Sequence, residues 1–112
     1  MFEPIVYILA YLGSQREYSY IDRLGNAIDE ISIMEALRDA VRSFITKCEE
    51  PESKCPSIDF QELDKSLNTL LEKISPKHQK QVIKLEVIKL ARELSLRAYA
   101  KIKTFETSQA GG

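Results

Sequence analysis

The last third of the chain is its strongest constraint. From Pro76 to Thr107 there is no glycine and no second proline. Apolar residues return there at steps of three and four, through Ile83, Val87, Leu90, Leu94, Ala98, Ile102 and Phe105. That is the period of one helical face, and an unbroken run of this length predicts a helix of roughly 48 Å at 1.5 Å per residue. Such a helix has an apolar side that must be covered, and in a chain of 112 residues the cover comes from shorter elements of the same domain. A second apolar set, Leu85, Ile88, Leu96 and Tyr99, lies off the main stripe. One small bundle rarely covers both sides of a helix, so these four are candidates for contact with another subunit.

The remaining elements also read as helices. Pro4 suits a first helical turn and opens a short helix through Ile5, Val6, Ile8, Leu9 and Leu12, apolar almost all round and therefore expected to be buried, with Gly13 as its left-handed end. A second short helix is predicted over Tyr20 to Ala27, with Ile21, Leu24 and either Ala27 or Ile28 inward; Gly25 either permits a close approach or breaks it. Ser32 and Glu35 have the form of a capping box ahead of a third helix, whose stripe is Met34, Leu37, Val41, Phe44, Ile45 and Cys48. Pro51 and Pro56 mark a loop. Asp59 is placed to cap a fourth helix with the seam Phe60, Leu63, Leu67, Leu70, Leu71 and Ile74, after which Ser75 and Pro76 stop one helix and start the next. The expected fold class is all-α: a small helical bundle of about five helices with a long C-terminal helix, residues 1–107 forming one domain and 108–112 a flexible tail.

Charge is divided along the chain. Residues 1–75 hold eight basic and fourteen acidic side chains, and residues 76–112 hold eight basic and three acidic ones. Either the two segments attract each other within the fold or each meets a different partner. The opening Met1-Phe2-Glu3-Pro4 lacks the positive region of a signal peptide, and the apolar run from Ile5 to Leu12 is far shorter than the ~20 residues that span a bilayer. The expectation is a cytoplasmic protein with no membrane partner. Cys48 and Cys55 cannot make a four-ligand zinc site alone, and His78 is not spaced to help. The scarcity of intracellular disulfides favours two separate thiols; a disulfide is the alternative, one that intracellular proteins of hyperthermophiles do use.

No catalytic constellation is visible. A nucleophile needs a base within reach, and the sole histidine, His78, stands between Lys77 and Lys80 at a helix start. Acidic pairs such as Asp29-Glu30 and Glu49-Glu50 fall at helix ends and in loops, where they act as dipole partners or solvated charge. There is no glycine-rich phosphate loop, and Gly111-Gly112 is not joined to the strand-rich pattern of protein modifiers. No enzyme activity, cofactor, metal or small-molecule substrate is expected. The basic residues of the last helix carry the most function: Lys77, Lys84, Arg92 and Lys103 cluster in angle, with Lys80 and Lys89 at the edges and Lys101 inside the main apolar stripe. These seven are candidates for phosphate contact, which positions nucleic acid without reading its sequence. The competing reading is a solvated face in which Glu86 and Glu93 pair with Lys89 and Arg97. Tyr7, Tyr11, Tyr18, Tyr20 and Tyr99 could stack on bases, though the spacing of Tyr7 and Tyr11 favours a core or interface.

Tyr18-Ser19-Tyr20-Ile21-Asp22-Arg23-Leu24-Gly25-Asn26-Ala27, followed by Glu35-Ala36-Leu37-Arg38-Asp39-Ala40, resembles the small subunit of archaeal type I-A CRISPR effector complexes, the Cascade-type surveillance assemblies. The likeness covers roughly residues 5–45; beyond that the match is helical character alone. It implies a subunit that cuts nothing and packs in several copies, beside other effector subunits, along a backbone that carries the crRNA. It also implies contact with crRNA-guided target DNA, chiefly the displaced strand, so that the R-loop is stabilised while guide pairing supplies specificity. Within the motif, Asp22 and Arg23 are either subunit contacts or an internal salt bridge. The rival readings are a helical homo-oligomeric interaction module and a DNA-binding regulator. The latter is disfavoured, because the helix bearing Arg38 and Arg42 also bears Glu35 and Asp39.

Overall fold

The computed structural model describes residues 2–73 and 81–110, with the side chains of 81–84 and 106–110 outside the description. Five α-helices and no strand appear among the described residues: α1 (Glu3–Ser14), α2 (Ser19–Gly25), α3 (Glu30–Cys48), α4 (Phe60–Lys73) and α5 (Gln81–Ala110). The all-α bundle with a long last helix is therefore the fold. Ile74, Ser75, Pro76 and His78 lie outside the described residues, and α5 continues to Ala110, past the point at which a tail was expected.

The hydrophobic α1 is the centre of the bundle. Ile5, Val6, Ile8, Leu9, Ala10, Tyr11, Leu12 and Gly13 are all buried, because α5, α3, α4 and α2 all pack on it. Its end is set by Arg16, not Gly13. Arg16 takes φ 66°, the Arg16 N–H donates to the Gly13 carbonyl at 2.9 Å, and the Glu17 N–H donates to the Leu12 carbonyl at 2.9 Å. These are the two bonds of a Schellman ending, with arginine where glycine is usual. Gly13 is spent on packing instead. A Cβ there would lie 2.5 Å from Ile102 Cδ1 and 3.1 Å from Ile21 Cδ1. The missing side chain is what lets α1 and α5 cross closely.

The inward side of α5 follows the expected stripe, with Val87, Leu94, Ala98 and Ile102 buried and Leu90 and Phe105 partly so; small Ala91 and Ser95 complete it. Tyr11 makes edge-on ring contacts with both Phe44 of α3 and Phe105 of α5, tying three helices together. Ala27, not Ile28, is the inward residue after α2.

α3 departs from expectation at its start and in its phase. The N-cap is Asp29, whose carboxylate accepts from the Ser32 N–H at 2.7 Å and the Ser32 hydroxyl at 2.6 Å, so the helix begins three residues before the predicted capping box. A carboxylate at this end also meets the positive end of the helix dipole, which a hydroxyl does not. The buried face is Ile33, Ala36, Leu37, Ala40 and Phe44, whereas Met34 and Val41 are half-buried and Ile45 is exposed. α4 is capped by Asp59 as expected, through the N–H groups of Gln61 and Glu62. It turns Leu63, Ser66 and Leu70 inward while Phe60 and Leu71 remain exposed. α4 packs on α1 and α5 and barely touches α3.

Cys48 and Cys55 form a disulfide, which overturns the expectation of separate thiols. The bond ties the end of α3 to the loop that leads into α4, and Ser53 Oγ donates to the Cys48 carbonyl inside the closed segment. Restricting so short a loop in the unfolded chain is worth about 2.5 kcal/mol. Reducing the bond, or replacing both cysteines by serine, is therefore expected to lower Tm by ~10 °C. Paired thermal melts with and without reductant check this, and coincident melts would deny the bond a stabilising role.

Candidate nucleic-acid interface

The residues that carried the resemblance turn out to hold α2 in place. Leu24 and Ala27 are buried. Asp22 accepts a hydrogen bond from the Tyr99 hydroxyl, and Arg23 pairs with Asp39 of α3 at 2.9 Å. Gly25 lies where a Cβ would come 2.7 Å from Ser95 Oγ of α5, and the Ser95 hydroxyl donates to the Ile21 carbonyl at 3.1 Å within the core. Asn26 Nδ2 donates back to the Asp22 carbonyl at 2.8 Å, closing the helix end. Glycine here permits the close approach and is also the last residue of α2, which ends two residues short of the expected Ala27. The motif thus clamps α2 between α3 and α5, and Asp22 and Arg23 are both engaged within the chain.

The aromatic residues sort by depth. Tyr11 is core, Tyr7 meets Phe105 edge-on, and Tyr18 and Tyr99 stack on each other, both partly exposed, beside Asp22. The bond from Tyr99 to Asp22, reinforced by burial and by the carboxylate's charge, pushes the Tyr99 phenol up to about 12. Because the neutral phenol is the donor, this contact contributes to stability below pH ~10 and is lost as pH rises from there to about 12. An ultraviolet titration should show Tyr99 ionising latest, after Tyr11, which burial also raises, and Tyr99→Phe should remove that late step alone. A Tyr99→Phe titration with the late step intact would reassign it.

α5 has a second face, turned away from the core and meeting the rest of the chain at Tyr99. Leu85, Lys89, Arg92, Leu96, Tyr99 and Lys103 follow one another at steps of four and three, so they share one side of the helix over about 27 Å. All six are exposed, Leu85 at 59% and Leu96 at 70%, while Ile88 beside them is partly buried against the core. No acidic residue of α5 falls in this line, although the Asp22 carboxylate of α2 borders it at Tyr99; Glu86 and Glu93 lie on a flank. Among the described residues, Lys89, Arg92 and Lys103 carry no ion pair. The face combines apolar and cationic side chains.

The seven phosphate candidates separate accordingly. Lys89, Arg92 and Lys103 stand together on the outer face. Lys77 and Lys80 lie outside the described residues, as does the side chain of Lys84. Lys101 is a correction: its ammonium lies 4.5 Å from the centre of the Tyr7 ring and 3.4 Å from the Tyr7 hydroxyl, so it packs on α1. Its position within the inward stripe dictates this. Arg97 pairs with Glu3 at 3.1 Å, not with Glu93 one turn back, and supplies one link between the basic and acidic segments. Of the subunit-contact candidates, Leu85 and Leu96 are open to a neighbour, Ile88 is half-covered, and Tyr99, Asp22 and Arg23 have partners in the chain. The Tyr99 contacts left no trace in helical periodicity, because they depend on how α2 crosses α5.

Among the described residues no cluster of three or more histidine, cysteine or carboxylate side chains suits a metal ion, and no helix is long and apolar enough to cross a membrane. Comparison with protein-family models, with curated proteins and with solved structures gives no match.

Proposed function

We propose that the chain is a non-catalytic small subunit of an RNA-guided CRISPR surveillance complex of the type I-A Cascade kind. In this reading it packs beside other effector subunits and further copies of itself, and steadies the displaced strand of the R-loop through backbone contacts. The observation that carries the reading is the outer face of α5. Three cations that carry no ion pair among the described residues, spaced along one exposed line, suit a polyanion, and Leu85 and Leu96 on the same line suit a protein neighbour or the faces of unstacked bases. The resemblance of residues 18–27 and 35–40 selects the RNA-guided setting from the wider class of backbone binders. That the motif is consumed in holding α2 agrees with a scaffold role, since a subunit that cuts nothing needs a stable shape more than a reactive site.

The test is purification of the tagged chain from its native host, with mass spectrometry and extraction of bound RNA. Recovery of effector backbone proteins with short guide RNA supports the reading. Recovery of the chain without guide RNA overturns it and leaves the homo-oligomeric interaction module, for which the exposed Leu85 and Leu96 already provide a surface.

A further inference from the structure

α3 and α4 barely touch, and between them runs a groove of about 490 Å³. Its floor is made of the apolar side chains that left the expected stripes: Met34, Val41 and Ile45 from α3, Leu67 and Leu71 from α4. Ile45 and Leu71 are 41% and 45% exposed, although each directly follows a buried residue, Phe44 and Leu70. The groove is therefore the unpaired half of two stripes whose other halves form the core. Met34 to Ile45 measures about 16 Å along the helix axis, three turns, the length over which a helix presents positions i, i+4, i+7 and i+11.

The rims carry opposite charge. Arg38 and Arg42 stand one turn apart on the α3 side, both exposed and, among the described residues, without an ion pair; Asp64 stands on the α4 side. An occupant that matches this pattern has an apolar ridge, carboxylates about one turn apart on one flank, and a cation on the other. A second copy's outer α5 face does not match, because Lys89, Arg92 and Lys103 flank its apolar residues and would meet Arg38 and Arg42. We infer that the α3–α4 groove is a docking site for an amphipathic helix of a different protein, one whose flank facing α3 is acidic. This site is separate from α5, and it stands whether or not the nucleic-acid reading does.

The probe is a synthetic helical peptide of about five turns with a leucine ridge, glutamates on one flank and lysines on the other, titrated against the full chain by fluorescence anisotropy. A counterpart carries lysines on both flanks. The mixed-flank peptide is expected to bind at least ~10-fold more tightly than the all-lysine one, since like charges facing the arginines penalise the second. Arg38→Glu with Arg42→Glu should reverse that order. Leu71→Glu, at an exposed position that leaves the fold intact, should weaken both peptides. Equal affinities, no binding of the mixed-flank peptide at about 500 µM, or an order unmoved by the arginine reversal would each overturn the proposal. So would a dimer in sedimentation that dissociates on Leu71→Glu, because a second copy would then fill the groove.

Discussion

Gly13→Val is expected to destabilise the chain by about 3 kcal/mol, the upper range for overpacking a filled core, and to lower Tm by ~15 °C. The first carbon of any side chain at this position meets Ile102 Cδ1 at 2.5 Å and Cγ1 at 2.9 Å, with Ile21 Cδ1 at 3.1 Å. Ile102 is β-branched, almost fully buried and held in the α1–α5 crossing, so it cannot swing clear as a lysine tip would. Valine adds two further methyl groups to the same space. Helix propensity works the other way, since valine is a better helix former than glycine by a few tenths of a kcal/mol. The steric term is larger by several-fold and sets the sign. Truncating the obstacle supplies the internal control. Ile102→Ala alone should cost ~2–4 kcal/mol for the cavity, yet much less in the Gly13→Val background, where valine fills the vacated volume. Denaturant melts of the four proteins measure that coupling, and additive losses would show that the crossing does not demand glycine. Gly25→Ala is the milder case. Its nearest obstacle is Ser95 Oγ, a hydroxyl that can rotate away at the expense of its bond to the Ile21 carbonyl.

The difference between Gly13 and Arg16 shows where periodicity runs out. Apolar spacing located α1, the inward stripe of α5 and the Asp59 cap, because each depends on residues a few positions apart in one helix. It misassigned the end of α1, since a glycine near a helix terminus is compatible with both a left-handed ending and a close crossing, and only the position of Ile102 distinguishes them. The phase of α3 was blurred for a related reason. Its apolar residues cover more than one face, Ile33 and Ala36 as well as Met34 and Val41, and which half is buried is decided by where α2 and α1 lie. Alanine carries little weight in a pattern of large apolar residues, yet Ala36, Ala40, Ala91 and Ala98 are at most 1% exposed, because small side chains are what close helix crossings require. The cysteines were read from compartment statistics, which are silent on whether one loop brings two sulfurs together. On the candidate interface, the angular position of Lys101 within the inward stripe already marked it as the weakest of the seven, and its seat on Tyr7 follows from that.

Lys89→Glu, Arg92→Glu and Lys103→Glu together are expected to reduce single-stranded DNA binding by ~10²-fold or more at 0.1 M salt. Each phosphate contact releases a condensed counterion, worth a factor of several in affinity at that concentration, and three contacts multiply. Reversal adds repulsion to the loss. The salt dependence distinguishes direct contact from a folding effect: the plot of log affinity against log salt should become shallower by about two, the single-strand slope of ~0.7 per contact taken three times. A misfolded variant would lose affinity without that ordered change. The three side chains are exposed and pair with nothing among the described residues, so melting temperature should move little. Lys101→Glu is the contrasting variant. It removes the contact with the Tyr7 ring and places a carboxylate at the α1–α5 boundary, so it should lower stability while leaving the salt slope nearly unchanged. Leu96→Ala divides the remaining alternatives for the outer face, because the residue is 70% exposed and its loss cannot disturb the core. If Leu96 lies against an unstacked base, affinity for single strands falls while the salt slope stays, since no charge has been removed. If it lies against a neighbouring subunit, DNA binding by the isolated chain is untouched and only association with protein partners weakens. Charge reversal without any change in the salt slope would remove α5 as a polyanion face and leave its apolar residues as the basis for a protein interface.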